Sequence, residues 1–158
     1  MAGAVPKPLD PASIQHLVVH CSDSPDDEDL GAPEIHALHL GFGWHGIGYH
    51  RVIRRDGSIE GGRPDYWTGA HVYGENTISL GVCLIGREQF TEAQFDSLEL
   101  VLRFWREDCP NATICGHRDF PGTDKTCPNF DVAEFCASRG VDAGPGVPGR
   151  TLPHLAPA

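Results

Sequence analysis

The chain is expected to fold as a single α/β domain, a central mixed β-sheet flanked by helices. Three observations predict this. Short apolar runs suited to buried strands, IQHLVVH (14–20) and ISLGVCLIG (78–86), alternate with segments of helical period. Phe95, Leu98, Leu102 and Trp105 recur at the spacing of one helix face. Gly- and Pro-rich breaks separate the two kinds of segment, and alternation of strand with helix gives a sheet covered by helices.

The elements follow in order. Residues 1–12 carry Pro6, Pro8 and Pro11 and are expected to be a flexible lead into a domain spanning 13–139. The strand run at 14–20 is halted by CSDSPDDEDLGAP, an acidic stretch expected as a solvated loop. Pro33 suits the first turn of a helix that runs to about Leu40 and stops at the glycines of GFGWHGIG. YHRVIRRDGSIEGG alternates and carries an Asp-Gly pair, a strong hairpin signal. The apolar run 78–86 is expected as a central strand. Thr91 and Gln94 form a capping box that opens the helix bearing the apolar stripe. TICG (113–116) predicts a further strand; Asp131 with Glu134 caps a last helix, which Gly140 closes. The tail 140–158, GVDAGPGVPGRTLPHLAPA, is rich in Gly and Pro without periodicity and is expected to be flexible.

Composition excludes several function classes. At 158 residues the chain is one ordinary domain, long enough to bury a core. Its formal charge of −10 argues against capture by nucleic acid or anionic membranes, which requires clustered Lys and Arg. No apolar run reaches the length of a membrane span. The first residues, MAGAVPKPLDPASIQ, lack a hydrophobic stretch of signal-peptide type, so synthesis in the cytoplasm is expected. A monomer is expected. Reducing cytosol disfavours disulfides among the six cysteines. Cys83 and Cys136 read as small buried hydrophobes, while a bridge between Cys109 and Cys115 stays open.

The chemistry concentrates in CGHRDFPGTDKTCPNF (115–130). A catalytic zinc site needs three N, S or O ligands from the protein and a water. His117 lies just beyond a strand, Cys127 ends the following loop, and Pro121 and Gly122 between them let the chain fold back. His20, at the end of the first strand, is the best third ligand. His16, His36, His39, His45, His50 and His154 are expected at the surface or around the site, with His45 and His50 as cleft candidates. Asp119 either orients a ligand or caps a turn. Taken alone, Tyr49 reads as a packing aromatic and Lys125 as a solvated charge. Trp44 and Trp67 have a core role or a sugar-stacking role open to them.

VVHCSDS, GFGWHGIGYHRVIRRDGSIEGGRP, GAHVYGENTISLGVCLIG and GHRDFPGTDKTCPNF, in this order, resemble the type-2 N-acetylmuramoyl-L-alanine amidases. The branch is that of the bacteriophage lysozyme-type amidases, which share a fold with animal peptidoglycan recognition proteins. The match spans roughly 14–136. The resemblance implies that fold, a zinc cofactor held by His20, His117 and Cys127, catalytic roles for Tyr49 and Lys125, and substrate-cleft positions for His71 and Asn76. It leaves open whether Tyr49 moves a proton or stabilises an oxyanion. The implied reaction is hydrolysis of the amide between N-acetylmuramic acid and L-alanine, with peptidoglycan as partner. A compact domain without an export signal fits a phage endolysin that acts on the wall after release. A cytosolic muropeptide-recycling amidase ranks lower, because that branch usually has Asp where Cys127 stands. A non-catalytic peptidoglycan-binding module or a structural zinc domain is the reading from another class.

Overall fold

The computed structural model describes residues 6–147. Five strands form one mixed sheet: β1 (His16–Cys21), β2 (Arg51–Ile53), β3 (Ile59–Gly61), β4 (Ser79–Leu84) and β5 (Thr113–Gly116), in the spatial order β3-β2-β4-β1-β5. β1 runs parallel to β4 and β5, β2 runs parallel to β4, and β3 pairs antiparallel with β2. Every residue of β1 and β4 is buried, as expected for parallel strands covered on both faces. The expected central strand is thus in the centre, and the expected α/β class with one mixed sheet holds.

The two-residue period of the strands sorts the core into two layers. On one face Leu17, Val19, Leu80, Val82 and Leu84 meet Leu98, Leu102 and Trp105 of helix α2 (Glu92–Asp108). Val132 and Cys136 of helix α3 (Val132–Ser138) join the same cluster. On the other face Ile35 of helix α1 (Ala32–Gly41) packs with Ile47, Val52 and Ile85. His16, Val18 and His20 of β1 also point to this second face, where α1 covers only part of the sheet. That leaves room for a site.

Local signals set the element ends. Thr91 Oγ1 accepts from the Gln94 backbone N–H, and Gln94 Oε1 accepts from that of Thr91, each at 3.0 Å. Such a cap stabilises a helix by about 1 kcal/mol. Gly57, at φ 89°, turns the β2–β3 hairpin in a conformation that side chains disfavour. Asp131 caps α3 through the Glu134 N–H at 3.1 Å, and Gly140 leaves the helix at φ 68°.

The packed body reaches further than residues 13–139. Leu9 is buried, Pro8 bridges to Trp67, and Val141 and Val147 are buried at the other end. The Ala143 carbonyl accepts from the Ile114 N–H at 2.8 Å, adding backbone to the edge of β5. Residues 1–5 and 148–158 of the expected flexible ends, His154 included, lie outside the described residues. His16, His39 and His50 are buried, so of the two places expected for them the surface is excluded. All six cysteines are free, so Cys109 and Cys115 do not pair. Among the described residues no helix is long and apolar enough to cross a membrane.

Candidate metal centre and cleft

β1 and β5 are parallel neighbours, so their carboxyl ends open on the same edge of the sheet, where α/β folds gather ligands. His20 is the fifth residue of β1 and is 1% exposed. His117 opens a 3-10 turn (His117–Asp119) directly after β5. Asp119 Oδ2 accepts from the Gly116 N–H at 2.8 Å, so its carboxylate caps this turn. The loop then returns: the Arg118 N–H donates to the Cys127 carbonyl at 2.9 Å. A Cβ at Gly116 would stand 2.7 Å from Pro128 Cδ, so glycine there lets the end of the loop lie against the strand.

The result is a convergence of three donors. Cys127 Sγ lies 3.5 Å from His117 Nδ1 and 3.9 Å from His20 Nδ1. One ligand atom from each of the three residues falls within 4.8 Å of the other two. Tetrahedral zinc, with Zn–S of about 2.3 Å and Zn–N of about 2.0–2.1 Å, sets an S···N edge of about 3.6 Å. Donor types and spacing therefore fit the ion.

The electrostatics favour the ligating forms. Burial, then the neighbouring His71, His117 and His50, hold His20 well below the ordinary histidine range. Burial and then the Lys125 ammonium lower His117 to about 4, against Asp124. Both rings are neutral at pH 7, as metal binding requires. A hydrogen bond from the Cys21 thiol, helped by the Cys21 backbone N–H and Lys125, pulls Cys127 below the ordinary thiol range despite burial.

Behind His20 lies a second row of polar groups. His20 Nε2 is 2.9 Å from His71 Nδ1; His71 Nε2 is 3.3 Å from Ser79 Oγ, which donates to the Glu75 carbonyl at 2.7 Å. Asn76 Oδ1 accepts from the His71 and Val72 N–H groups at 2.9 and 3.0 Å. His71 and Asn76 both line the cleft, yet both ring nitrogens of His71 and Oδ1 of Asn76 are engaged within the protein. The cleft is a cavity of about 880 Å³ lined by His71, Val72, Phe120, His117, Lys125 and Trp44 among others.

Tyr49 is half-buried, with its ring 5.0 Å from that of His20. Burial, then the thiols of Cys83, Cys127 and Cys21, raise its pKa well above the ordinary tyrosine value. The loop carrying it is fixed by two histidines of α1: His36 Nδ1 accepts from the Ile47 N–H at 3.0 Å and His39 Nδ1 from the Gly48 N–H at 2.9 Å. Of the cleft candidates, His45 is exposed, while His50 is fully buried and structural. Its Nδ1 accepts from the Gly81 N–H at 3.1 Å, and its Nε2 donates to the Trp67 carbonyl at 2.8 Å. Trp67 belongs to the bridge with Pro8. Sequence reasoning missed Cys21 and Ser79; adjacency to His20 was the one available signal for Cys21.

Comparison with known proteins bears on this arrangement. Residues 10–130 match the family model described as N-acetylmuramoyl-L-alanine amidase. The endolysin of Enterobacteria phage K11 is 41% identical over 125 residues, 74% of this chain and 82% of that protein. The solved N-acetylmuramoyl-L-alanine amidase LysC from Clostridium intestinale URNW aligns with a TM-score of 0.73 at 30% identity, covering 86% of this chain and 92% of that one. Drosophila PGRP-LB shares the fold, with a TM-score of 0.73 at 23% identity over 90% of this chain and 91% of its own.

Proposed function

The chain belongs to the N-acetylmuramoyl-L-alanine amidase family, and from that premise we propose that it is a phage endolysin. It hydrolyses the amide between N-acetylmuramic acid and L-alanine in peptidoglycan, acting as a monomer on the wall after release. The observation that carries this reading is the convergence of His20, His117 and Cys127 at zinc spacing beside a cavity that Lys125 also lines.

In this reading His20, His117 and Cys127 hold zinc as two neutral imidazoles and a thiolate. When bound, zinc lowers the pKa of a coordinated water to about 7 and polarises a substrate carbonyl. Lys125, which lines the cavity together with His117, offers its ammonium to the carbonyl oxygen as negative charge develops there. Tyr49, its ring 5.0 Å from that of His20, brings a neutral hydroxyl that either stabilises that oxygen or carries a proton to the leaving amine. Such donors act on charge that exists only in the transition state, so they raise turnover more than binding. Trp44 offers the sugar an apolar face at the mouth of the cleft.

The test is purified protein added to cell-wall sacculi with and without a chelator. Clearing that the chelator stops and added zinc restores supports the reading. Binding to sacculi without clearing, in zinc-loaded protein, would instead make the domain a wall-binding module.

A further inference from the structure

We propose that His71 is a positioning residue for His20, and that Ser79 and the Glu75 carbonyl complete a directed hydrogen-bond chain. That chain leaves the His20 Nδ1 lone pair free to face the metal. The inference rests on the zinc reading above. It also moves His71 from the substrate to the support of a ligand.

The direction of the chain follows from its fixed end. A carbonyl oxygen only accepts, so the single hydroxyl proton of Ser79 is committed to Glu75 at 2.7 Å. Ser79 Oγ then faces His71 Nε2, at 3.3 Å, as an acceptor, and the Nε2 of His71 carries the proton. A neutral ring protonated there has a bare Nδ1, which at 2.9 Å must accept from His20 Nε2–H. His20 is left with its lone pair on Nδ1, the atom 3.9 Å from Cys127 Sγ. A histidine ligand commonly has its second nitrogen held in this way, and the partner fixes both tautomer and ring orientation.

The surroundings are shaped for this ring. A Cβ at Gly81 would lie 2.6 Å from His71 Nδ1, so a side chain in the middle of β4 would displace it. The Gly81 N–H is in turn tied to His50 at 3.1 Å, which fixes the strand at that point. Asn76 holds the His71 and Val72 backbone from the other side. His71 is 8% exposed, and both of its nitrogens are committed.

Three variants test the chain. His71→Leu removes the acceptor for His20, His71→Asn keeps an acceptor oxygen near the place of Nδ1, and Ser79→Ala removes the hydroxyl acceptor for His71 while leaving the Ser79 carbonyl. Zinc affinity is read by chelator competition, kcat and KM on soluble wall fragments. The His20 tautomer is read from imidazole 15N shifts in the zinc-free protein. The expected result is zinc binding about 10- to 100-fold weaker in His71→Leu, weakened in the same direction in Ser79→Ala, and largely recovered in His71→Asn. Wild-type His20 should be protonated at Nε2, and both weakened variants should show mixed tautomers. Unchanged zinc affinity and tautomer with a raised KM would overturn the proposal and return His71 to the substrate. Wild-type protein that binds no zinc would overturn the metal reading itself, a distinct outcome because variants and wild type would then be alike.

Discussion

The Arg118 backbone N–H donates to the carbonyl of Cys127 at 2.9 Å, closing the loop between them. This bond, together with the close approach of Pro128 to Gly116, brings a histidine just after β5 and a cysteine ten positions later to one point with the end of β1. Loss of the sulfur should therefore cost the metal without unfolding the sheet. Elemental analysis should find about one zinc per wild-type chain and little in Cys127→Ala, with far-UV circular dichroism unchanged. Full zinc occupancy in Cys127→Ala would remove the sulfur from the ligand set.

Lys125→Ala and Tyr49→Phe should separate chemistry from folding. Lys125 is exposed and Tyr49 is half-buried, so neither change opens a large cavity. Both proteins should keep zinc and their melting temperature while kcat falls by ~10²-fold or more. Normal turnover per folded molecule in either variant would make that residue structural.

Acid should destabilise the metal-free protein in a window set by buried histidines. Burial lowers His50 to about 4, against Trp67 and Asp65; burial, then Arg63 and His36, lowers His39 to about 4. Between the unfolded value near 6.5 and about 4, the unfolded chain binds protons that the folded one does not. The stabilisation is complete above the upper limit and is lost as pH falls through the lower one. Each such histidine contributes a slope of about 1.4 kcal/mol per pH unit. Urea unfolding in chelator at pH 7 and pH 5 should show a smaller pH difference for His50→Gln than for wild type. Equal differences would mean that His50 does not stay neutral.

Much of this architecture is legible in the sequence, because the informative signals are local. The capping box at Thr91 and Gln94, the turn at Asp56–Gly57 and the Asp131 cap each act within four residues. The stripe Leu98, Leu102 and Trp105 needs only helical period. His20 and His117 could be singled out because each follows an apolar strand run. What was hidden depends on contacts between distant segments. Nothing around Ser79 or His71 shows that they meet across the missing side chain of Gly81. Leu9 and Val147 sit among prolines and glycines, a composition that reads as flexible although single apolar side chains there reach the core. Histidine reads as polar, so burial of His39 and His50 is invisible until their backbone partners, Gly48 and Trp67, are in place.

The bond that breaks is the most direct measure of the account. Clearing of walls follows from cutting either glycan or peptide, so turbidity alone does not distinguish them. A glycosidase would need two carboxylates about 5–9.5 Å apart across a glycosidic bond, whereas the described residues lining the cleft include a single carboxylate, Asp124, beside His71, His117 and Lys125. Sacculi digested by the zinc-loaded protein should release new amino-terminal L-alanine in step with clearing and leave glycan strands long. New reducing sugar ends in step with clearing, with amino-terminal alanine unchanged, would contradict it.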